Sequence, residues 1–188
     1  CIRIHPAEVS GFIKSRQRVE DEIRNKYKSL PSNIIIVSAE DQVSTYDLID
    51  NSKTILVYST KTAIEASALG KQVIVCGDAW VRGKGFTIDP KNEEEYFQIL
   101  KNNLYTNKLN SEKIELAQIY AYHFFFRRML VVNCLKQEND TGLKLDKNLL
   151  DKPNKELSNV MEVIKKGIYS KSPFIYKNEY MNEKKDTK

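Results

Sequence analysis

No apolar run in this chain reaches the roughly 18 residues that a membrane-spanning helix requires, so a helical span is not expected. The three cysteines, Cys1, Cys76 and Cys134, lie far apart without a CxxC pair. That spacing argues against a zinc site and a disulfide framework, and fits a reducing cytoplasm. The seven glycines fall into neither G-x-x-x-x-G-K-[ST] nor G-x-G-x-x-G, which removes the Walker loop and the dinucleotide turn. Excess charge is absent from the first part of the chain: residues 1–105 hold 14 Lys and Arg against 14 Asp and Glu. Residues 106–188 hold 16 against 11, so the whole net charge of +5 belongs there. A nucleic-acid domain concentrates Lys and Arg on its folded body, so this distribution points to a basic tail for a partner or membrane surface, or to a solvated face.

What is present is the make-up of a globular protein, 41% hydrophobic and 29% charged over 188 residues, enough for one domain and an appendage. The opening "CIRIHP" reads as the second half of a strand with no signal pattern before it, and suggests a piece of a longer protein. Apolar strands then alternate with helical patterns. "CIRI" predicts a strand, "KSRQRVEDEIRNKYKSL" an amphipathic helix closed by Pro31, with Ile13, Val19, Ile23 and Tyr27 near helical spacing, and "NIIIVS" a second strand. "VSTYDLIDNS", "TILVY", "KTAIEASALG" and "QVIVCG" follow as helix, strand, helix ended by Gly70, and strand. Short β-branched strands apolar on both faces suit a parallel sheet covered by helices. Asp89 and Pro90 predict an N-cap and first helical position for "KNEEEYFQILKNNL". From Asn110, "SEKIELAQIYAYHFFFRRMLVVNCLK" predicts one long helix, apolar nearly all round from Tyr120 to Val132, that has to be enclosed. Residues 137–153, with Gly142 and Pro153, read as a linker, "KELSNVMEVIKKG" as a last helix, and the Lys-rich end as frayed. The expected division is residues 1–105 as a Rossmann-like α/β domain, 106–136 as the aromatic helix, packed on that domain or on a missing half, and 137–188 as a basic helical tail.

In open parallel sheets ligands bind outside the carboxyl ends of the strands, where helix N-termini present free N–H groups. Residues just after strands are therefore the candidates: His5 and Pro6, Ser38 to Asp41, Ser59 and Thr60, and Gly77 to Gly85. The Ser59 and Thr60 hydroxyls, with the amides of the following helix, suit a phosphate, and Glu65, a turn further on, suits a ribose diol. Thr62-Ala-Ile-Glu65 is equally a capping box. His5 can donate to a phosphate or bond a loop, while His123, inside an apolar helix, reads as structural. Arg82 and Lys84, in the loop "GDAWVRGKGFTID", can meet anionic oxygens, or the loop is plain surface. Trp80 fits a core plug or a stacking surface. No metal cluster and no catalytic base can be named.

Taken in order, "IRIHPAE", "VSTYDLIDNSKTILVYSTKTAIEASALGKQVIVCGDAWVRGKGFTID" and "YAYHFFFRRML" resemble the capsule polysaccharide biosynthesis family, which includes Kdo transferases of GT-B type. The resemblance covers residues 1 to about 135. It implies the C-terminal, Rossmann-like half of a glycosyltransferase of capsule or lipopolysaccharide assembly, followed by long C-terminal helices. It implies a sugar-nucleotide donor, CMP-Kdo, no further cofactor, and no metal. It places His5, Pro6, Ser59, Thr60 and Glu65 around the donor nucleotide and its phosphate; Ser38, Glu40, Arg82 and Lys84, nominated by their positions after strands, are candidates for further donor contacts. The implied partners are a polysaccharide or glycolipid acceptor and the N-terminal half, in the cytoplasm with peripheral contact at the inner membrane; nucleic acid is not among them. A UDP-sugar 2-epimerase of the same fold, or a non-catalytic module for assembly or membrane docking, are the alternative readings.

Overall fold

The computed structural model describes residues 1–9, 15–102, 108–130, 132, 135–138, 142–150 and 155–176. It is a mixed α/β chain with small parallel sheets, and it divides into two compact units. The first joins Cys1–Asp50 to Asn133–Lys152; the second joins Asn51–Val132 to Pro153–Lys188.

In the first unit, β1 (Ile2–Arg3) and β2 (Ile36–Val37) pair in parallel, and Ile4 and Val37 enter the core. A 3₁₀ turn, Pro6–Glu8, follows β1, with Pro6 at a position where its missing N–H costs nothing. Helix α1 is Val19–Lys26, shorter than its amphipathic pattern. It starts where the Glu8 carboxylate takes the Val19 N–H at 3.1 Å, and Tyr27 leaves it in an extended conformation four residues before Pro31. Ile13 lies outside the described residues. Helix α2 is Thr45–Asp50, with Ile49 buried.

The second unit holds the part that follows its sequence pattern most closely. β3 (Thr54–Val57) pairs in parallel with β4 (Gln72–Val75) across α3 (Thr62–Ala68). Val73, Ile74 and Val75 have no exposed surface, and Ile88 adds a parallel bridge on the edge of β4 away from β3. A strand covered on both faces is apolar at successive positions. Gly70 ends the α3 turn at φ 80°, a backbone conformation that glycine adopts without strain.

Helix α4 is Glu93–Lys101, and its cap is Asn92 and not Asp89. The Asn92 Oδ1 accepts from the Glu95 N–H at 2.8 Å. Asp89 is spent elsewhere: its carboxylate accepts from Gly83 N–H at 2.6 Å and from the Thr87 hydroxyl at 2.6 Å, which pushes the helix start past Pro90. The predicted long helix is also shorter. α5 is Ser111–Tyr122, continued by a single π-helical turn, His123–Arg127. α5 packs on α3, and the Gln118 side chain donates to the Ala68 carbonyl at 3.2 Å, satisfying one of the acceptors that a helix end leaves open. Its aromatic end rests on the glycine loop of the same unit: Tyr120 lies 5.6 Å from Phe86, Phe124 lies 5.2 Å from Trp80, and the Tyr120 hydroxyl donates to the Trp80 carbonyl at 2.7 Å.

The predicted linker is instead largely structured. β5 (Leu135–Glu138) and β6 (Gly142–Leu145) form an antiparallel pair in the first unit, followed by α6 (Lys147–Leu150). An ion pair between Lys136 and Asp146 at 2.5 Å ties its two ends. The last helix, α7 (Lys155–Ser170), belongs to the second unit, where Val160 is buried. Cys134, Pro153 and the Lys-rich end beyond Tyr176 lie outside the described residues.

Candidate functional site

At the end of β1, His5 is exposed and its Nδ1 accepts from the Ala7 N–H at 3.1 Å. An imidazole that accepts at Nδ1 carries its proton on Nε2, so its outward nitrogen is a donor. At the end of β2, in the same unit, the polar residues serve one another. The Ser38 hydroxyl donates to Glu20, the Asp41 carboxylate accepts from the Ser38 N–H at 2.7 Å, and Arg3 donates to the Ser38 carbonyl. Glu40 pairs with Arg18 at 2.7 Å. Glu20 is buried and also takes Arg24 at 2.7 Å; these bonds, Ser38 foremost, hold its carboxyl below the ordinary carboxylate value.

At the end of β3 the second unit presents Ser59, exposed, and Thr60, half-buried. The Thr60 hydroxyl accepts from the Thr62 N–H at 3.3 Å and donates to the Thr62 hydroxyl at 3.2 Å. Thr62 is the first helical residue and not the cap; Lys61 stands at the cap without a side-chain bond. Glu65 therefore lies in the first turn of α3, half-buried.

At the end of β4, on the same carboxyl edge as β3, the chain forms a cleft of about 690 Å³. Cys76, Gly77 and Asp78 make one wall; Pro90, Lys91, Asn92, Glu93 and Tyr96 make the other. Arg82 joins them. Its guanidinium donates to the Val75 carbonyl at 2.5 Å and the Gly77 carbonyl at 2.8 Å on one side, and to the Pro90 carbonyl at 3.0 Å on the other. Lys84 is exposed in the loop beyond. Gly77 cannot be larger: a Cβ there would stand 2.6 Å from the Tyr58 carbonyl oxygen, so the β4 end lies directly against the residue that precedes Ser59. Cys76 is exposed; partial desolvation raises its thiol, offset in part by Arg82. Burial likewise raises the Tyr96 hydroxyl.

Trp80 is 57% exposed with one ring face against Phe124, so it is not a core plug. His123 opens the π-helical turn, where burial first and Arg127 and Arg128 next lower its value below 6.5. Among the described residues no group of three or more His, Cys, Asp and Glu could hold a metal ion, and no helix is long and apolar enough to cross a membrane. Sequence reading did not nominate Tyr96 or the Lys91 to Glu93 wall. Their one signal was the Asn92-Glu-Glu-Glu95 cap, which fixes where α4 begins.

The fold is of the mixed α/β class with small parallel sheets, and polar residues follow the carboxyl ends of its parallel strands. The chain belongs to the capsule polysaccharide biosynthesis protein family, whose sequence model matches residues 1–123, and this gives it a role in capsule synthesis. No curated protein sequence and no solved structure matches it.

Proposed function

We propose that this chain is the sugar-nucleotide-binding half of a capsule or lipopolysaccharide glycosyltransferase, Rossmann-like and of GT-B type, with a CMP-linked donor such as CMP-Kdo. The observation that carries the reading is the end of β3, where Ser59 and Thr60 stand at the entrance to α3 with Ser59 open to solvent. In this reading the open Ser59 hydroxyl takes the donor phosphate, the Thr60 hydroxyl joins it by giving up its Thr62 partner, and Glu65 accepts from the ribose hydroxyls. His5 and Pro6, at the end of β1 in the first unit, are further candidates for contact with the donor. Ser38, Glu40, Arg82 and Lys84 are weaker candidates, since Ser38, Glu40 and Arg82 already hold protein partners.

The chemistry is transfer of a glycosyl group through an oxocarbenium-like transition state, with negative charge gathering on the departing phosphate. Fixed hydrogen-bond donors lower the energy of that charge most when they are already in place. Such a phosphate site works without a metal or further cofactor. The proposed partners are a polysaccharide or glycolipid acceptor and an N-terminal half, acting in the cytoplasm with peripheral contact at the inner membrane.

Calorimetric titration with CMP and with UDP, on this chain and on the longer protein, tests the reading. CMP binding that weakens about tenfold in Ser59→Ala, a loss of about 1.4 kcal/mol, is the expected result. Absence of binding by either nucleotide overturns it. UDP binding with an isomerised sugar product indicates the 2-epimerase. Loss of membrane or partner association on deleting residues 137–188, with no nucleotide affinity in the parent chain, indicates a docking module.

A further inference from the structure

Helix α5 has two apolar faces, and its own unit covers one of them. Ala117 is buried, Ile114 lies against Gly70 at the end of α3, and Tyr120 and Phe124 rest on Phe86 and Trp80. On the other face Ile119 is 59% exposed and Phe126 58%, with Leu116 and Tyr122 also exposed. A helix normally turns charge to water on the side away from its core. Large apolar side chains repeated along that side mark a contact surface.

The spacing says what shape fits there. Glu112, Glu115, Ile119, Tyr122 and Phe126 follow one another at intervals of three and four, the seam along which two helices interlock side chains. The π-helical turn does not carry Phe126 off this line, since its ring stacks on that of Tyr122 at 5.5 Å. Charge says which helix fits. The seam is acidic where α5 begins and apolar in the middle, and Arg127 and Arg128 stand where the π-helical turn ends. Among the described residues none of these four charges stands in an ion pair of its own chain. An anionic membrane suits the arginine end and is repelled by the glutamate end. A surface of this polarity is complementary to itself when reversed.

We infer that the exposed face of α5 pairs antiparallel with the same face of a second copy of this chain. Glu112 and Glu115 of each copy then run beside Arg127 and Arg128 of the other. A two-fold axis beside Ile119 and Tyr122 sets each Ile119 opposite the Tyr122 of the second copy, and such a contact closes at two chains. The helix is already held by α3, so pairing carries no burden of helix formation, which would defeat a seam this short in a free peptide. Its 15 residues from Glu112 to Phe126 span about 22 Å at 1.5 Å per residue, a small interface, for which a Kd on the order of 10 μM is expected. The pairing stands apart from the nucleotide reading, because none of its residues is a donor contact.

The test is sedimentation velocity of this chain and of the longer protein from about 1 to 200 μM, a range that brackets that Kd. Both are expected to pass from monomer to dimer. Ile119→Glu, at an exposed position, should keep the parent circular dichroism spectrum and remain monomeric throughout. Two charge exchanges read the orientation: Glu112→Lys with Glu115→Lys in one chain, and Arg127→Glu with Arg128→Glu in another. Each alone should self-associate at least about tenfold more weakly, and an equal mixture should recover the dimer, since unlike ends then meet at both places. Ile119→Glu decides by itself should the arginine exchange misfold. A monomer at every concentration, a dimer indifferent to Ile119→Glu, or a mixture of folded exchanges that recovers nothing overturns the inference. So does a longer protein that stays monomeric, which gives the face to the N-terminal half. Co-sedimentation of a monomeric parent with phosphatidylcholine and phosphatidylglycerol vesicles, lost in Ile119→Glu, gives it to lipid and overturns the inference as well.

Discussion

The carboxyl ends of β2 and β3 carry similar residues and use them differently. Beyond β2, Ser38, Glu40 and Asp41 are spent on Glu20, Arg18 and the Ser38 amide, so the polar groups stabilise the unit that holds them. Beyond β3, Ser59 is exposed and Thr60 turns only toward Thr62, its neighbour in sequence. A hydroxyl after a strand is thus a candidate by position, but unspent hydrogen-bonding capacity decides whether it can serve a ligand. The cleft beyond β4 is a third case, in which one arginine is consumed so that the remaining side chains are presented on fixed walls.

The sharpest way to break the β3 and β4 ends is Gly77→Ala. The added methyl meets main chain at 2.6 Å, which cannot swing aside, so a loss of about 3 kcal/mol in urea-unfolding free energy is expected, with nucleotide affinity falling in parallel. A loss below about 0.5 kcal/mol would mean that the two strand ends are not held together as described.

The β2 end is probed by pH. Because Ser38 and Arg24 lower the folded value of Glu20, its contribution is present above the ordinary value of 4.5 and drains away as pH falls through the lower folded value. Glu20→Gln should cost about 1–2 kcal/mol near neutral pH and remove that part of the acid dependence, as read from thermal unfolding at a series of pH values. An acid limb unchanged in the variant would show that another carboxylate carries it.

The smallest effects, and the most direct comparison, come from two serines. Ser38→Ala should lose about 1 kcal/mol, because it strips a bond from a buried carboxylate. Ser59→Ala should stay within about 0.5 kcal/mol of the parent while CMP affinity drops. Equal stability losses in the two would erase the distinction between a spent hydroxyl and an open one.

The run from β3 through α3 to β4 was legible because its period, its β-branched strands and Gly70 all point the same way. The start of α4 was misread by three residues: Asp89 and Asn92 both have cap chemistry, and only the tertiary bonds to Gly83 and Thr87 show which one is already engaged. No glycine or proline marks the end of α5, since the change into a π-helical turn occurs within His123–Arg127, a run of aromatics whose packing on Trp80 and Phe86 is long-range. The β5–β6 pair escaped notice because short polar strands such as "LKQE" and "GLKL" lack the apolar density that periodicity needs. The strand-end rule reached Gly77 to Gly85 but not the far wall of the cleft, whose Tyr96 lies 20 residues along the chain from Cys76 and is brought there by the fold.

The loop after β4 contains the chain's single tryptophan, placed two residues from Arg82 with one ring face on Phe124 and the rest toward water. Indole emission therefore comes from one address, beside both strand ends. Without any label, its wavelength and quenching report whether a nucleotide, a sugar or a partner has disturbed that loop, and a titration can be followed in a cuvette before any crystal is grown.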